Sequence, residues 1–147
     1  MIAPADVVAV ARSLLRTPYH EQGRLPGVGI DCAGVPIVVA CALGLVPAGF
    51  DFLGYSARPD GTLLAVCDRF MARSAGPEVG GVVVVASRRE GEPSHLGIVT
   101  PWLADPSRLA MIHADNVRAK QVIETRLEFS AAMRLVQAYR LPGVEYG

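Results

Sequence analysis

No run of Lys or Arg occurs in the 147 residues, and the 14 basic side chains are balanced by 14 acidic ones. The chain therefore lacks the electrostatic footprint of a nucleic-acid binder. Cysteine is scarce. Cys32, Cys41 and Cys67 are too few and too irregularly spaced for a disulfide framework, a zinc knuckle or a dithiol redox motif, which predicts reduced thiols. Met1-Ile2-Ala3-Pro4-Ala5-Asp6 lacks the basic stretch and small-residue cleavage site of a secretory signal, so synthesis in the cytoplasm without export by the general pathway is expected. Linkers, repeats and low-complexity tracts are missing too, and a single domain over residues 1–147 is expected. Charge is absent between Asp31 and Asp51 in a chain that is 51% hydrophobic. A membrane span is nevertheless not expected there, because Gly34, Pro36, Gly44, Pro47 and Gly49 interrupt the roughly 20 apolar residues a span needs. The central helix of a small domain accounts for the stretch more simply.

What is present centres on Gly29-Ile30-Asp31-Cys32-Ala33-Gly34-Val35-Pro36. Gly27 and Gly29 break any earlier element, and an unpunctuated apolar run then lasts until Gly44. Pro36 fixes the start of this helix, since proline is tolerated in a first turn whose N–H groups have no intrahelical partner. Cys32 then falls at or next to the N-cap. There the helix end favours thiolate over thiol, and such settings bring a cysteine pKa from about 8.5 down to roughly 3.5–7.5. The same N–H groups suit an oxyanion. The alternative reading is a small buried hydrophobe, the role expected of Cys41 and Cys67.

The rest of the chain reads as helices followed by strands. Pro4 to Arg16 forms a first helix with an apolar stripe, stopped by Thr17-Pro18, and a Gly/Pro-rich loop leads from Tyr19 into Asp31. After an irregular connector from Pro47 to Pro59, a third helix capped by Asp60 or Thr62 carries Leu63, Val66, Cys67, Phe70 and Met71 and ends near Gly76-Pro77. Strands are expected over 81–86, 95–100, 109–114, 121–124 and 135–141, with a charged turn from Arg88 to Pro93 and a short helical patch from Phe129 to Met133. Together these elements make an α+β fold on a mostly antiparallel sheet of about five strands.

His95 and His113 lie in sequential strands that an antiparallel pairing can bring to one face. A nucleophilic thiol needs a base, and the base needs a partner to hold its ring, so Cys32, His95 and His113 are candidates for nucleophile, base and orienting residue. A zinc site on the same three side chains is the other chemical reading, and a satisfied structural imidazole is the bland one for each histidine.

In order and approximate spacing, Thr17-Pro18-Tyr19, Asp31-Cys32-Ala33-Gly34, Ser94-His95-Leu96-Gly97-Ile98-Val99 and Met111-Ile112-His113-Ala114 resemble the NlpC family of papain-like cell-wall cysteine peptidases. The resemblance implies a papain-like fold, a catalytic set of Cys32, His95 and His113, a Tyr19 hydroxyl that helps hold the oxyanion, and substrate contacts from Asp31 and Ser94. It implies no metal and no organic cofactor. Ala33 stands where the family usually has serine, Gly80-Gly81 where many members have Gly-Asp, and Pro36 is unusual. The Ala138-Tyr139-Arg140-Leu141-Pro142-Gly143 tail and the compact size look like the subset found in tail modules of phages and gene transfer agents. Two functions are then expected to compete. One is a peptidoglycan endopeptidase or amidase acting within a phage-like tail, with other tail proteins as partners. The other is a structural tail-tip or assembly protein that keeps the fold, which a Cys32 sealed from solvent would favour.

Overall fold

The computed structural model describes residues 1–52, 61–87, 95–130 and 132–147. The expected turn from Arg88 to Pro93, Ser94, Asp60 and most of the second half of the 47–59 connector lie outside the described residues.

Helix α1 (Pro4–Ser13) begins with Pro4 in its first turn, and the Asp6 carboxylate accepts the Ala3 N–H at 2.8 Å. It ends earlier than expected. Arg16 adopts φ 73° and its N–H leaves the helix for the Val122 carbonyl. The Gly/Pro-rich loop, expected to be irregular, instead holds a two-stranded antiparallel ribbon, β1 (Arg24–Leu25) and β2 (Gly29–Ile30). Helix α2 (Gly34–Ala42) follows with Ala33 at its N-cap. Helix α3 (Thr62–Phe70) has Gly61, at φ 84°, in the capping position.

The sheet has six strands in the order β3-β8-β4-β5-β6-β7, all antiparallel: β3 (Ala72–Ser74), β4 (Val82–Ser87), β5 (His95–Trp102), β6 (Asp105–Ala114), β7 (Val122–Arg126) and β8 (Met133–Arg140). Strand β3 corrects the sequence reading, which ran the third helix through it. Pairing of Ala72, Arg73 and Ser74 with β8 outweighs the helical periodicity. None of the described residues of the expected helical patch at 129–133 is helical. The Ser130 side chain accepts the Ala132 N–H and the Ser130 N–H goes to the Met133 carbonyl, a turn that delivers Met133 to β8.

Strand alternation splits the core. Val82, Val84, Leu96, Ile98, Ile112, Ala114 and Val122 pack with Val7, Ala11, Val35 and Val39 of the first two helices, whereas Val83, Val85, Val99, Met111 and Ala138 form a second apolar cluster among strands. Edge strand β7 is not left bare. The segment after α1 hydrogen-bonds along its outer side, Arg16 N–H to the Val122 carbonyl at 2.9 Å and Val122 N–H to the Thr17 carbonyl at 2.8 Å, and this fixes where Tyr19 leaves the chain.

A buried carboxylate fastens the same edge to α1. Glu124 accepts from Arg12 Nη2 at 3.0 Å and from the Thr100 hydroxyl at 2.6 Å, and its side chain is only 7% exposed. Glu124→Ala leaves that hydroxyl and part of the guanidinium without an acceptor, so a loss of about 2 kcal/mol is expected in urea unfolding. Glu124→Gln, which keeps one acceptor oxygen, should lose less. Equal stability of Glu124→Ala and the wild type would show that the clamp contributes nothing.

Candidate active site

The chain reverses direction at the ribbon and enters α2 through Ile30-Asp31-Cys32-Ala33. The Asp31 carboxylate, expected to face substrate, is turned inward and is 1% exposed. It accepts the Gly34 N–H and Arg24 Nη1–H on one oxygen and the Gln22 N–H on the other, all at 2.8 Å. Arg24 also donates to Asp51 and to the Gly23 carbonyl, each at 2.8 Å. Asp31 therefore satisfies an amide of the first turn of α2 and ties that turn to the ribbon.

Cys32 is the residue before the N-cap, and as a whole residue it is half-buried against the core. Its contact with the sheet follows from strand geometry. Val99 exchanges hydrogen bonds with Gly80 and Gly81 on the β4 side, so the alternate amides of Leu96 and Ile98 point toward β6. Pairing between β5 and β6 extends only to Ile98 opposite Ile112. The Leu96 N–H beyond that point is directed at the Cys32 sulfur, as are the N–H groups of Ala33 and Cys32 itself.

Those donors do not make the resting sulfur a thiolate, which corrects the expectation from the helix start. Burial, and secondarily the Asp31 carboxylate, push the Cys32 thiol up to about 11. Burial, and then the neighbouring His113, push His95 down to about 3, with Asp115 opposing weakly. His113 is also lowered, by burial. At neutral pH Cys32 is thus a thiol and His95 a neutral imidazole. Alkylation of Cys32 by iodoacetamide should consequently rise about tenfold per pH unit from 7 to 10. A plateau starting near pH 6 would mean a preformed thiolate–imidazolium pair instead.

Strand alternation puts His95 and His113 on the same face as Val99 and Met111, with Gly97 between them allowing close approach: a Cβ there would meet Met111 Sδ at 2.9 Å. His95 Nε2 lies 2.6 Å from His113 Nδ1, with the rings edge to face at 89°. His95 Nε2 and His113 Nδ1 are engaged with each other, so a zinc ion would have to use the other two ring nitrogens, of which His113 Nε2 is held by Thr125. Among the described residues no group of His, Cys, Asp and Glu is arranged to hold a metal ion. His113 Nε2 continues to Thr125 Oγ1 at 3.0 Å. Thr125 was not singled out in the sequence, where a threonine in a β-branched strand carries no distinguishing signal.

Tyr19 is half-buried and held by its N–H to the Lys120 carbonyl at 2.9 Å. Burial, and then Cys32 and Asp31, raise its hydroxyl to about 12, so it stays a hydrogen-bond donor. His20 stands apart, exposed, with Nδ1 at 3.0 Å from the Glu21 carbonyl. Ser94 lies outside the described residues. Behind Cys32 an apolar cavity of about 300 Å³ is lined by Ala33, Pro36, Leu63, Phe70 and Leu96, but not by Cys32, His95 or His113.

This arrangement of helices on an antiparallel sheet is matched in a solved structure. The NlpC/p60 domain of the peptidoglycan hydrolase SagA superposes with a TM-score of 0.62, covering 95% of this chain and 100% of that domain at 20% identity. The chain has the fold of an NlpC/p60 domain. No sequence-family profile and no curated protein matches it. Among the described residues of this NlpC/p60-type fold, no helix is long and apolar enough to cross a membrane.

Proposed function

We propose that the chain is a cysteine hydrolase that cuts amide bonds in the stem peptides of peptidoglycan. The observation that carries this reading is His95 held through Nε2 by His113 at the start of the strand whose next amide reaches the Cys32 sulfur. His95 Nδ1, the ring nitrogen that His113 does not engage, is the base. The resting pair is neutral, so the proton leaves the thiol as sulfur attacks the carbonyl carbon. The tetrahedral oxyanion is met by N–H groups at the helix start and by the Tyr19 hydroxyl. His95 returns the proton to the leaving amine, the C–N bond breaks, and a thioester remains on Cys32. Water, deprotonated by His95, then releases the acid and restores the thiol.

The peptidoglycan substrate is supported by the fold shared with the peptidoglycan hydrolase SagA and by the motifs around Cys32, His95 and His113. On the resemblance of the C-terminal segment alone, we further assign the protein to the tail of a phage or phage-like particle, acting at the cell wall beside other tail proteins.

The test is digestion of purified peptidoglycan and its soluble fragments followed by mass spectrometry. Products shortened at a stem-peptide amide, each with one new amine and one new carboxyl group, are expected. Unchanged fragments, with ester and small-peptide substrates also left intact, would overturn the reading.

A further inference from the structure

The hydrogen-bonded row does not stop at His113. It runs from His95 on β5 through His113 on β6 to Thr125 on β7, with contacts of 2.6 and 3.0 Å. Each neutral imidazole carries one proton, so the row has two possible directions. In one, Thr125 donates to His113 Nε2, His113 Nδ1–H donates to His95 Nε2, and the remaining proton of His95 sits on Nδ1. That ring cannot accept a proton from a thiol. In the other, His95 Nε2–H donates to His113 Nδ1, His113 Nε2–H donates to Thr125 Oγ1, and His95 Nδ1 has a free lone pair.

The protonated state chooses between them. Once His95 has taken the thiol proton, both its nitrogens carry hydrogen, so Nε2–H must donate and His113 Nδ1 must accept. His113 is then protonated on Nε2 and needs an acceptor there. Among the described residues, Thr125 Oγ1 is the partner seen at that nitrogen. The direction required during the reaction is therefore the direction in which the threonine hydroxyl accepts.

We propose that Thr125 is a positioning residue that sets the tautomer of His95 through His113. The proposal rests on the hydrolase reading and extends it to a residue on a third strand. Thr125→Val keeps the shape and removes the hydroxyl, so His113 Nε2 lacks a partner in either direction; an unpaired N–H is tolerated less well than an unpaired lone pair, which shifts the row toward the opposite direction. Thr125→Ser keeps the hydroxyl.

The experiment is long-range proton–nitrogen correlation NMR on the wild type and both variants at pH 7, alongside steady-state hydrolysis. His20→Asn assigns the third histidine. In the wild type and Thr125→Ser, His95 and His113 are expected to be protonated on Nε2. In Thr125→Val, His95 is expected to move its proton to Nδ1, and kcat to fall about 10- to 100-fold with KM unchanged. A wild-type His95 protonated on Nδ1 overturns the assignment, as does a Thr125→Val protein with the wild-type tautomer. An unaltered kcat in that variant overturns it as well. If the wild type shows no hydrolysis of any substrate, the hydrolase reading fails, and the NMR comparison still decides separately whether Thr125 governs the tautomer.

Discussion

Replacing Cys32 by alanine is expected to remove stem-peptide cleavage, by about 10⁴-fold or more, because no covalent intermediate can then form. The fold should survive. Alanine lacks only the sulfur, and the residue precedes the N-cap of α2 rather than lying inside the helix. Fragment release by mass spectrometry, with melting monitored by circular dichroism, checks both halves. His95→Ala should lose activity on a similar scale, since a thiol raised to about 11 is almost wholly protonated at neutral pH without a base. The double variant should be scarcely worse than either single one, because nucleophile and base act as a unit. Losses that multiply would mean that the two side chains contribute separately, and a fully active Cys32→Ala would move the chemistry elsewhere.

The second large effect is on stability. Asp31→Ala is expected to cost about 3–5 kcal/mol, because it strips a part-buried guanidinium of one carboxylate and leaves two backbone amides without their buried acceptor. The contacts concerned are the 2.8 Å bonds from Arg24 Nη1, Gly34 N and Gln22 N. For a chain of this length the melting temperature should fall by roughly 10 °C. Asp31→Asn retains an acceptor oxygen and should recover part of the loss. The charge has a second consequence. Asp31 helps to raise the Cys32 thiol, so its removal should lower the pKa and quicken alkylation at pH 8 in whatever fraction remains folded. An Asp31→Ala protein that melts with the wild type would show that Asp51 and nearby carbonyls suffice to hold Arg24.

Much of the site was legible because its parts sit on local signals. Pro36 and the glycines before Asp31 mark the helix start that carries Cys32, and β-branched runs mark the strands that carry His95 and His113. The properties that were not legible are set by distant residues. The inward turn of Asp31 depends on Arg24 returning along the ribbon, and the raised Cys32 thiol depends on burial against β5. Both belong to the folded surroundings rather than to the local spacing. Strand β3 was misread for a similar reason. Met71 extends the helical stripe of Leu63, Val66, Cys67 and Phe70, yet the next residues find partners on β8, far along the chain. Thr125 was hidden because only the β6–β7 pairing makes it a neighbour of His113.

The row of His95, His113 and Thr125 runs across three strands rather than along one, and its last member sits on the sheet's edge. Edge strands are drawn from the parts of a fold that open first, with free energies below that of global unfolding. Local detachment of β7 would therefore disconnect the end of the row while β4, β5 and β6 remained paired. On the proposed hydrolase reading, catalytic competence would then follow a sub-global opening equilibrium. The clamp of Arg12 and Glu124 and the backbone bonds along Val122 keep that opening rare, so inactivation on gentle heating should precede the loss of overall structure.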